Sequence, residues 1–127
     1  MKTILVDAID GIVLKDGTLF KGMYAMLETF PNKKIVLTSA NDEQSKQYNL
    51  HKLPYEIFTL KHDPEKSDPK YFKIMLDNFN LKSSDVIYFE HDPLAVKCAE
   101  KVGIKTYYYD PIEKDLNSLK AFIISNL

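Results

Sequence analysis

The sequence predicts an α/β fold with a three-layer α/β/α, Rossmann-like arrangement, in which helices cover both faces of a five-stranded parallel sheet. Three observations predict it. Five short apolar runs, rich in β-branched and aromatic residues, are mostly continuous rather than alternating, which marks strands covered on both faces. Amphipathic helical patterns separate them, so strand and helix alternate through right-handed crossovers. The chain has 127 residues, 45% hydrophobic and 28% charged, which suits one folded domain spanning 1–127.

The predicted strands are TILV (3–6), KIVL (34–37), EIFTL (56–60), DVIYF (85–89) and KTYYY (105–109). The helical segments are 21–30, 41–50, 69–79, 93–102 and 111–126. Their starts are well signed. Asp68-Pro69, Asp92-Pro93 and Asp110-Pro111 each place a capping carboxylate before a proline at the first helical position. Asn41 with Gln44 forms a capping-box pattern, and Gly103 stands where a left-handed C-cap is needed. The stripe Tyr71, Ile74, Met75 and Phe79 reads as the buried face of the third helix. One segment breaks the alternation: IVLKDGTLF (12–20) reads as a small β-hairpin turning at Asp16-Gly17. It follows the first strand directly, either as a flap over the strand's carboxyl end or as a plug for the sheet edge.

Composition narrows the function classes. A net charge of -1 gives no electrostatic reason to expect nucleic acid or an anionic membrane as partner. No apolar run approaches a membrane span, and MKTILVDAID puts acidic residues where a signal peptide carries its apolar region, so a cytoplasmic location is expected. The single cysteine, Cys98, excludes an internal disulfide and reads as a small buried hydrophobe. His51 and His62 read as surface loop residues.

The carboxyl ends of parallel strands are where α/β proteins bind ligands. The first strand ends in VDAIDG, with Asp7 and Asp10 three residues apart. Side chains in a strand share a face only at even spacing, so a straight strand keeps these two carboxylates apart. The second strand ends in Thr38-Ser39, Lys66 precedes the third helix, and Glu90-His91-Asp92 ends the fourth strand.

In this order and on these elements, the motifs resemble the haloacid dehalogenase (HAD) superfamily, mostly phosphatases and related phosphotransferases, over nearly the whole chain. Ile9-Asp10-Gly11 and the following hairpin resemble the family's Asp-x-Asp-Gly and flap. KIVLTSAN is similar to its second motif, and EKSDPKYF to its Lys-Pro-Asp-Pro signature. YFEHDPLAVKCAEKVGIKT is similar to its fourth motif in hydrophobic frame, with Ala99 and Gly103 in place. The resemblance implies Asp10 as general acid/base, and Thr38, Ser39 and Lys66 as phosphate-binding groups. Thr38 and Lys66 are candidates for catalysis as well. It implies Mg²⁺ as cofactor, with Asp10, Glu90 and Asp92 as metal candidates. Aligned on Asp10-Gly11, the family nucleophile falls on Ala8, and counting back from Ala99 and Gly103 the metal carboxylate falls on His91. Alanine neither attacks phosphorus nor binds metal, so the Mg²⁺ site is expected to be impaired. Alternation sets Ala8 toward the cleft and Asp7 away from it. A bulge between Asp7 and Asp10 would instead bring Asp7 into the nucleophile's place.

Two function classes follow. One is a divergent, metal-assisted phosphohydrolase of phosphatase ancestry, weak or inactive, using Asp7 or Asp10 with Thr38, Lys66 and Glu90. The other is a non-catalytic module, a pseudoenzyme, that binds phosphate, a phosphorylated small molecule or a protein partner, with self-association as a further possibility. No cap-sized insertion is present.

Overall fold

The computed structural model describes all of residues 1–127. Its sheet holds five parallel strands in the order β3-β2-β1-β4-β5: β1 Thr3–Asp7, β2 Lys34–Thr38, β3 Glu56–Thr59, β4 Val86–Glu90 and β5 Lys105–Tyr108. The helices are α1 Lys21–Glu28, α2 Asp42–Gln47, α3 Pro69–Asn78, α4 Pro93–Lys101 and α5 Leu116–Asn126. β1 is central, with Asp7 opposite Leu37 and Val6 opposite Phe89. Every residue of β1, β2 and β4 is buried, as continuous apolar runs require. The edge strands β3 and β5 are only partly covered.

Strand alternation splits the core in two. Ile4 and Val6 of β1, with Ala8 just after it, pack with Met23, Leu27, Leu119 and Ile123 beneath α1 and α5. Leu5 faces the other way, with Tyr71, Phe72, Met75, Tyr88 and Ala99 beneath α3 and α4. Each such side chain contributes roughly 1.5–3 kcal/mol by leaving water.

Several sequence expectations hold in detail. Asn41 accepts from the Gln44 amide and Gln44 returns the bond to Asn41, closing the capping box. Asp68 and Asp92 cap α3 and α4 ahead of Pro69 and Pro93. Gly103 adopts φ 91° after α4, and Cys98 is buried.

Four expectations need correction. The last helix does not start at Pro111. Asp110 instead holds a turn by accepting from the amides of Ile112 and Glu113. Lys114 then takes φ 50°, which ends any right-handed run, and Asp115 caps the true α5. The second helix stops at Gln47, and a 3₁₀ turn at Leu50–Lys52 follows Asn49 in the left-handed region. The 12–20 hairpin is reduced to a single antiparallel bridge, Val13 with Leu19, around a turn where Gly17 takes φ 84°. Phe72, not Ile74, completes the buried stripe of α3, and Ile74 is exposed.

Candidate active site

The carboxyl ends of β1, β2 and β4 meet over a cleft of about 230 Å³ whose walls are polar, with Ile9 and Ala40 the apolar residues lining it. The register sets Asp7 opposite Leu37, one residue before Thr38, and Val6 opposite Phe89, one residue before Glu90, so the three strand ends lie side by side. Alternation holds along β1, but the cleft opens on the α3–α4 side of the sheet. Asp7 continues the Leu5 row and lines the cleft, whereas Ala8 continues the Ile4–Val6 row and is fully buried in the α1–α5 core. The expectation that Ala8 faces the cleft and Asp7 turns away is therefore reversed. The alternation rule is sound; it leaves open which face becomes the cleft, and helix packing decides that.

The awkward spacing of Asp7 and Asp10 is resolved just after the strand. The amides of Gly11 and Val13 donate to Ala8 O, and that of Ile12 donates to Asp7 O. Asp10, with φ 64°, occupies the left-handed region. Gly11 is required here by close approach: a Cβ would stand 2.2 Å from the Asp7 carbonyl oxygen, well inside contact distance. The tight turn carries Asp10 Oδ2 to 3.8 Å from His91 Nε2 and 3.9 Å from the exposed Lys15 ammonium.

At the cleft floor, two carboxylates and two cationic side chains interlock. Lys66 Nζ donates to Asp7 Oδ1 at 2.8 Å and to Glu90 Oε1 at 2.7 Å, and to Leu37 O at 3.2 Å. The Lys66 side chain is thus largely buried between the acids rather than solvated. The His91 amide donates to Asp7 Oδ2 at 3.0 Å, and His91 Nδ1 contacts the same oxygen and lies 3.2 Å from Glu90 Oε2. Tyr88 donates its hydroxyl to Glu90 Oε1, and the Asp92 amide donates to Glu90 Oε2 at 3.0 Å.

The electrostatics follow from these contacts. Burial alone would lower the His91 imidazole, but hydrogen bonds to Asp7 and Glu90 outweigh it and raise its pKa to about 10. Burial opposes ionisation of Glu90, yet the Lys66 charge and hydrogen bonds within the cluster hold it well below the usual carboxylate range. Burial, then the Glu90 charge, pull Asp7 upward against Lys66 and His91. Asp7 is therefore the more readily protonated of the two acids. Lys66 is held upward by the charges of Asp7 and Glu90, against its burial.

Other predicted residues take distinct places. Thr38 and Ser39 line the cleft. Thr38 Oγ1 accepts from the Ala40 amide at 3.1 Å, and Ser39 Oγ accepts from the Lys66 amide at 3.0 Å, which seats the start of the Lys66 segment on β2. Asp92 Oδ1 is taken by its capping bond to the Leu94 amide. The metal-capable group is Asp7, Glu90 and His91, which bring one ligand atom each within 4.8 Å of one another; Asp10 and Asp92 lie outside it. Two features escape the sequence. Tyr88 follows from parity with Glu90 on β4. His62, read as a surface residue, lines the cleft mouth and bridges Gln44 and Glu65. No sequence pattern signals it, because its neighbours lie on different elements.

No family model matches the chain, and no curated protein matches it in sequence. Solved structures do match. A haloacid dehalogenase-like protein of unknown function from Agrobacterium tumefaciens shares 14% identity at a TM-score of 0.68, over 84% of this chain and 60% of that one. A HAD-superfamily hydrolase from Ehrlichia chaffeensis shares 18% at 0.66, over 85% and 58% respectively. A variant of a HAD-family enzyme from Bacteroides thetaiotaomicron, in complex with magnesium and inorganic phosphate, shares 10% at 0.59, over 87% of this chain and 95% of that one. This chain thus spans less than two thirds of the first two. At these identities what is shared is the fold, and the chain has the haloacid dehalogenase-like fold.

Proposed function

We propose that this chain binds the phosphoryl group of a phosphate monoester at the carboxyl end of β1 and accepts it on Asp7, as a slow phosphohydrolase. One observation carries the reading: a carboxylate, Asp7, faces the cleft at the end of the central strand, with the Lys66 ammonium 2.8 Å away. In the resemblance to HAD phosphatases the nucleophile falls on Ala8; the cleft-facing carboxylate here is its neighbour Asp7, and Thr38, Ser39 and Lys66, which the resemblance implies as phosphate-binding groups, line the same cleft. The Bacteroides neighbour, of the same fold, is a complex with magnesium and inorganic phosphate.

Magnesium prefers a tight octahedron of oxygen donors near 2.1 Å. Here the carboxylate oxygens of Asp7 and Glu90 are taken by Lys66 and by His91 Nδ1, which contacts Asp7 Oδ2 and lies 3.2 Å from Glu90 Oε2. As arranged, these residues do not fit Mg²⁺, and the charge of a bound phosphate is met by the chain's own groups. Thr38 and Ser39 offer hydroxyl donors, and Lys66 and His91 offset the negative charge.

In the first step an Asp7 oxygen attacks phosphorus as the ester P–O bond breaks, and the leaving oxygen takes a proton from Asp10. Water then attacks the aspartyl phosphate and returns its proton to Asp10, which releases inorganic phosphate and restores Asp7. The reaction is slow because attack requires an Asp7 oxygen to leave Lys66 or His91.

That same occupancy favours a second reading, in which the site holds phosphate without turnover. Hydrolysis of an aryl phosphate decides between them. Wild type is expected to show slow hydrolysis that Asp7→Asn lowers by at least about 10²-fold. Ala8→Asp is expected to add no activity and to destabilise the fold by about 3 kcal/mol or more, since it buries an unpaired charge under α1 and α5. Phosphate binding with no Asp7-dependent turnover supports the second reading.

A further inference from the structure

The cleft floor has the form of a closed ring. Lys66 Nζ bridges Asp7 Oδ1 and Glu90 Oε1, and His91 Nδ1 bridges the other oxygen of each acid, Asp7 Oδ2 and Glu90 Oε2. A ring nitrogen facing two carboxylate oxygens must carry hydrogen, because a bare lone pair there would be repelled. Nε2 lies 3.8 Å from Asp10 Oδ2, beyond hydrogen-bond distance, so the Nδ1–H is what ties the imidazole to the two acids. The ring is fixed in place by its own backbone, since the His91 amide donates to Asp7 Oδ2 at 3.0 Å.

We infer that the His91 imidazole takes the place of a divalent ion at this site, its Nδ1–H paired with Asp7 and Glu90, so that the site takes phosphate without a metal. The four oxygens of Asp7 and Glu90 are already taken by Lys66 and His91; a divalent ion could enter only by displacing the Nδ1 proton and moving the ring. An inserted metal would also have to trade an oxygen-rich shell for one that includes nitrogen, which Mg²⁺ accepts poorly. This inference rests on the phosphate-site reading above, but its metal arm is tested without phosphate.

Two titrations of the full chain, followed by amide NMR, separate the claims. In the first, Mn²⁺ is added as a paramagnetic probe and Mg²⁺ as its competitor. Wild type is expected to show no selective broadening at Asp7, Glu90 or His91 up to millimolar ion. His91→Asp, which replaces the imidazole with a third carboxylate, is expected to gain Mn²⁺ broadening that Mg²⁺ reverses. His91→Asn, neutral and close in shape, controls for folding and is expected to gain little. Selective broadening in wild type at micromolar Mn²⁺ would overturn the inference. In the second, inorganic phosphate is added with and without EDTA. Shifts at Thr38, Ser39 and Lys66 that are indifferent to EDTA, and weaken about tenfold or more in His91→Asn, support the inference. Shifts seen only when Mg²⁺ is present overturn it while leaving the phosphate site intact. Absence of phosphate shifts under both conditions overturns the phosphate-site reading, and with it the phosphate half of this inference.

Discussion

At the scale of single residues, the site turns on which side chain fills each strand-end position. Asp7 and Ala8 are adjacent, so they face opposite sides of the sheet, and each is satisfied only on its own side. Asp7 meets Lys66 and His91; Ala8 meets the apolar core. His91 is held far from its ordinary state. Its imidazole titrates at about 10, against an ordinary value of 6.5, because its bonds to Asp7 and Glu90 outweigh burial. The sign follows from linkage. A pKa raised in the folded chain gives stability that is fully present below the unfolded value, about 6.5, and is lost as pH rises through about 10. The ring proton shifts of His91, followed by NMR, are therefore expected to stay constant through neutral pH and to move with a midpoint near 10. Glu90→Gln is expected to bring that midpoint down. A midpoint near 6.5 in the wild type would mean that the imidazole is not held by the two acids.

At the scale of elements, strand ends and helix starts together build the cleft. The amide of Lys66 donates to Ser39 Oγ and its ammonium to Leu37 O, so the segment before α3 is tied to the end of β2. Asp92 belongs to this level. Its carboxylate caps α4 through the Leu94 amide at 3.0 Å, while its own amide donates to Glu90. It supports the site through the backbone, and its side chain serves the helix. Asp92→Ala is accordingly expected to cost about 1 kcal/mol in urea denaturation, as lost N-caps do, and to leave phosphate affinity unchanged. A collapse of phosphate affinity with unchanged stability would instead make Asp92 a ligand-binding group. The element level is also where sequence reading succeeded and failed for identifiable reasons. Continuous apolar runs located β1 to β5, and Asp-Pro pairs located the starts of α3 and α4, because both signals are local. The same Asp-Pro pair at Asp110-Pro111 misled, because Lys114 in the left-handed region separates that turn from α5.

At the scale of the molecule, the fold was legible because patterning, capping and motif order agree with one another. The site was half legible. Thr38, Lys66 and Glu90 were placed at the cleft by the order of the motifs alone. The facing of Asp7 was not, because alternation fixes relative parity, and only packing of α3 and α4 onto the Leu5 side fixes which parity meets the cleft. Nor was the ring of Asp7, Lys66, Glu90 and His91, whose members come from three separate segments of the chain and meet only in the folded sheet. The consequence for function is that the cleft-facing carboxylate at the end of β1 is Asp7, one residue before Ala8, on which the motif spacing puts the family nucleophile. The most direct measurement is capture of the phosphoryl group itself. The chain is incubated with acetyl phosphate, quenched in acid to preserve acyl phosphates, and digested for peptide mass spectrometry. Phosphoryl modification on Asp7, absent from Asp7→Asn, is the result expected if Asp7 is the acceptor. Modification at another residue, or its persistence in Asp7→Asn, would contradict it.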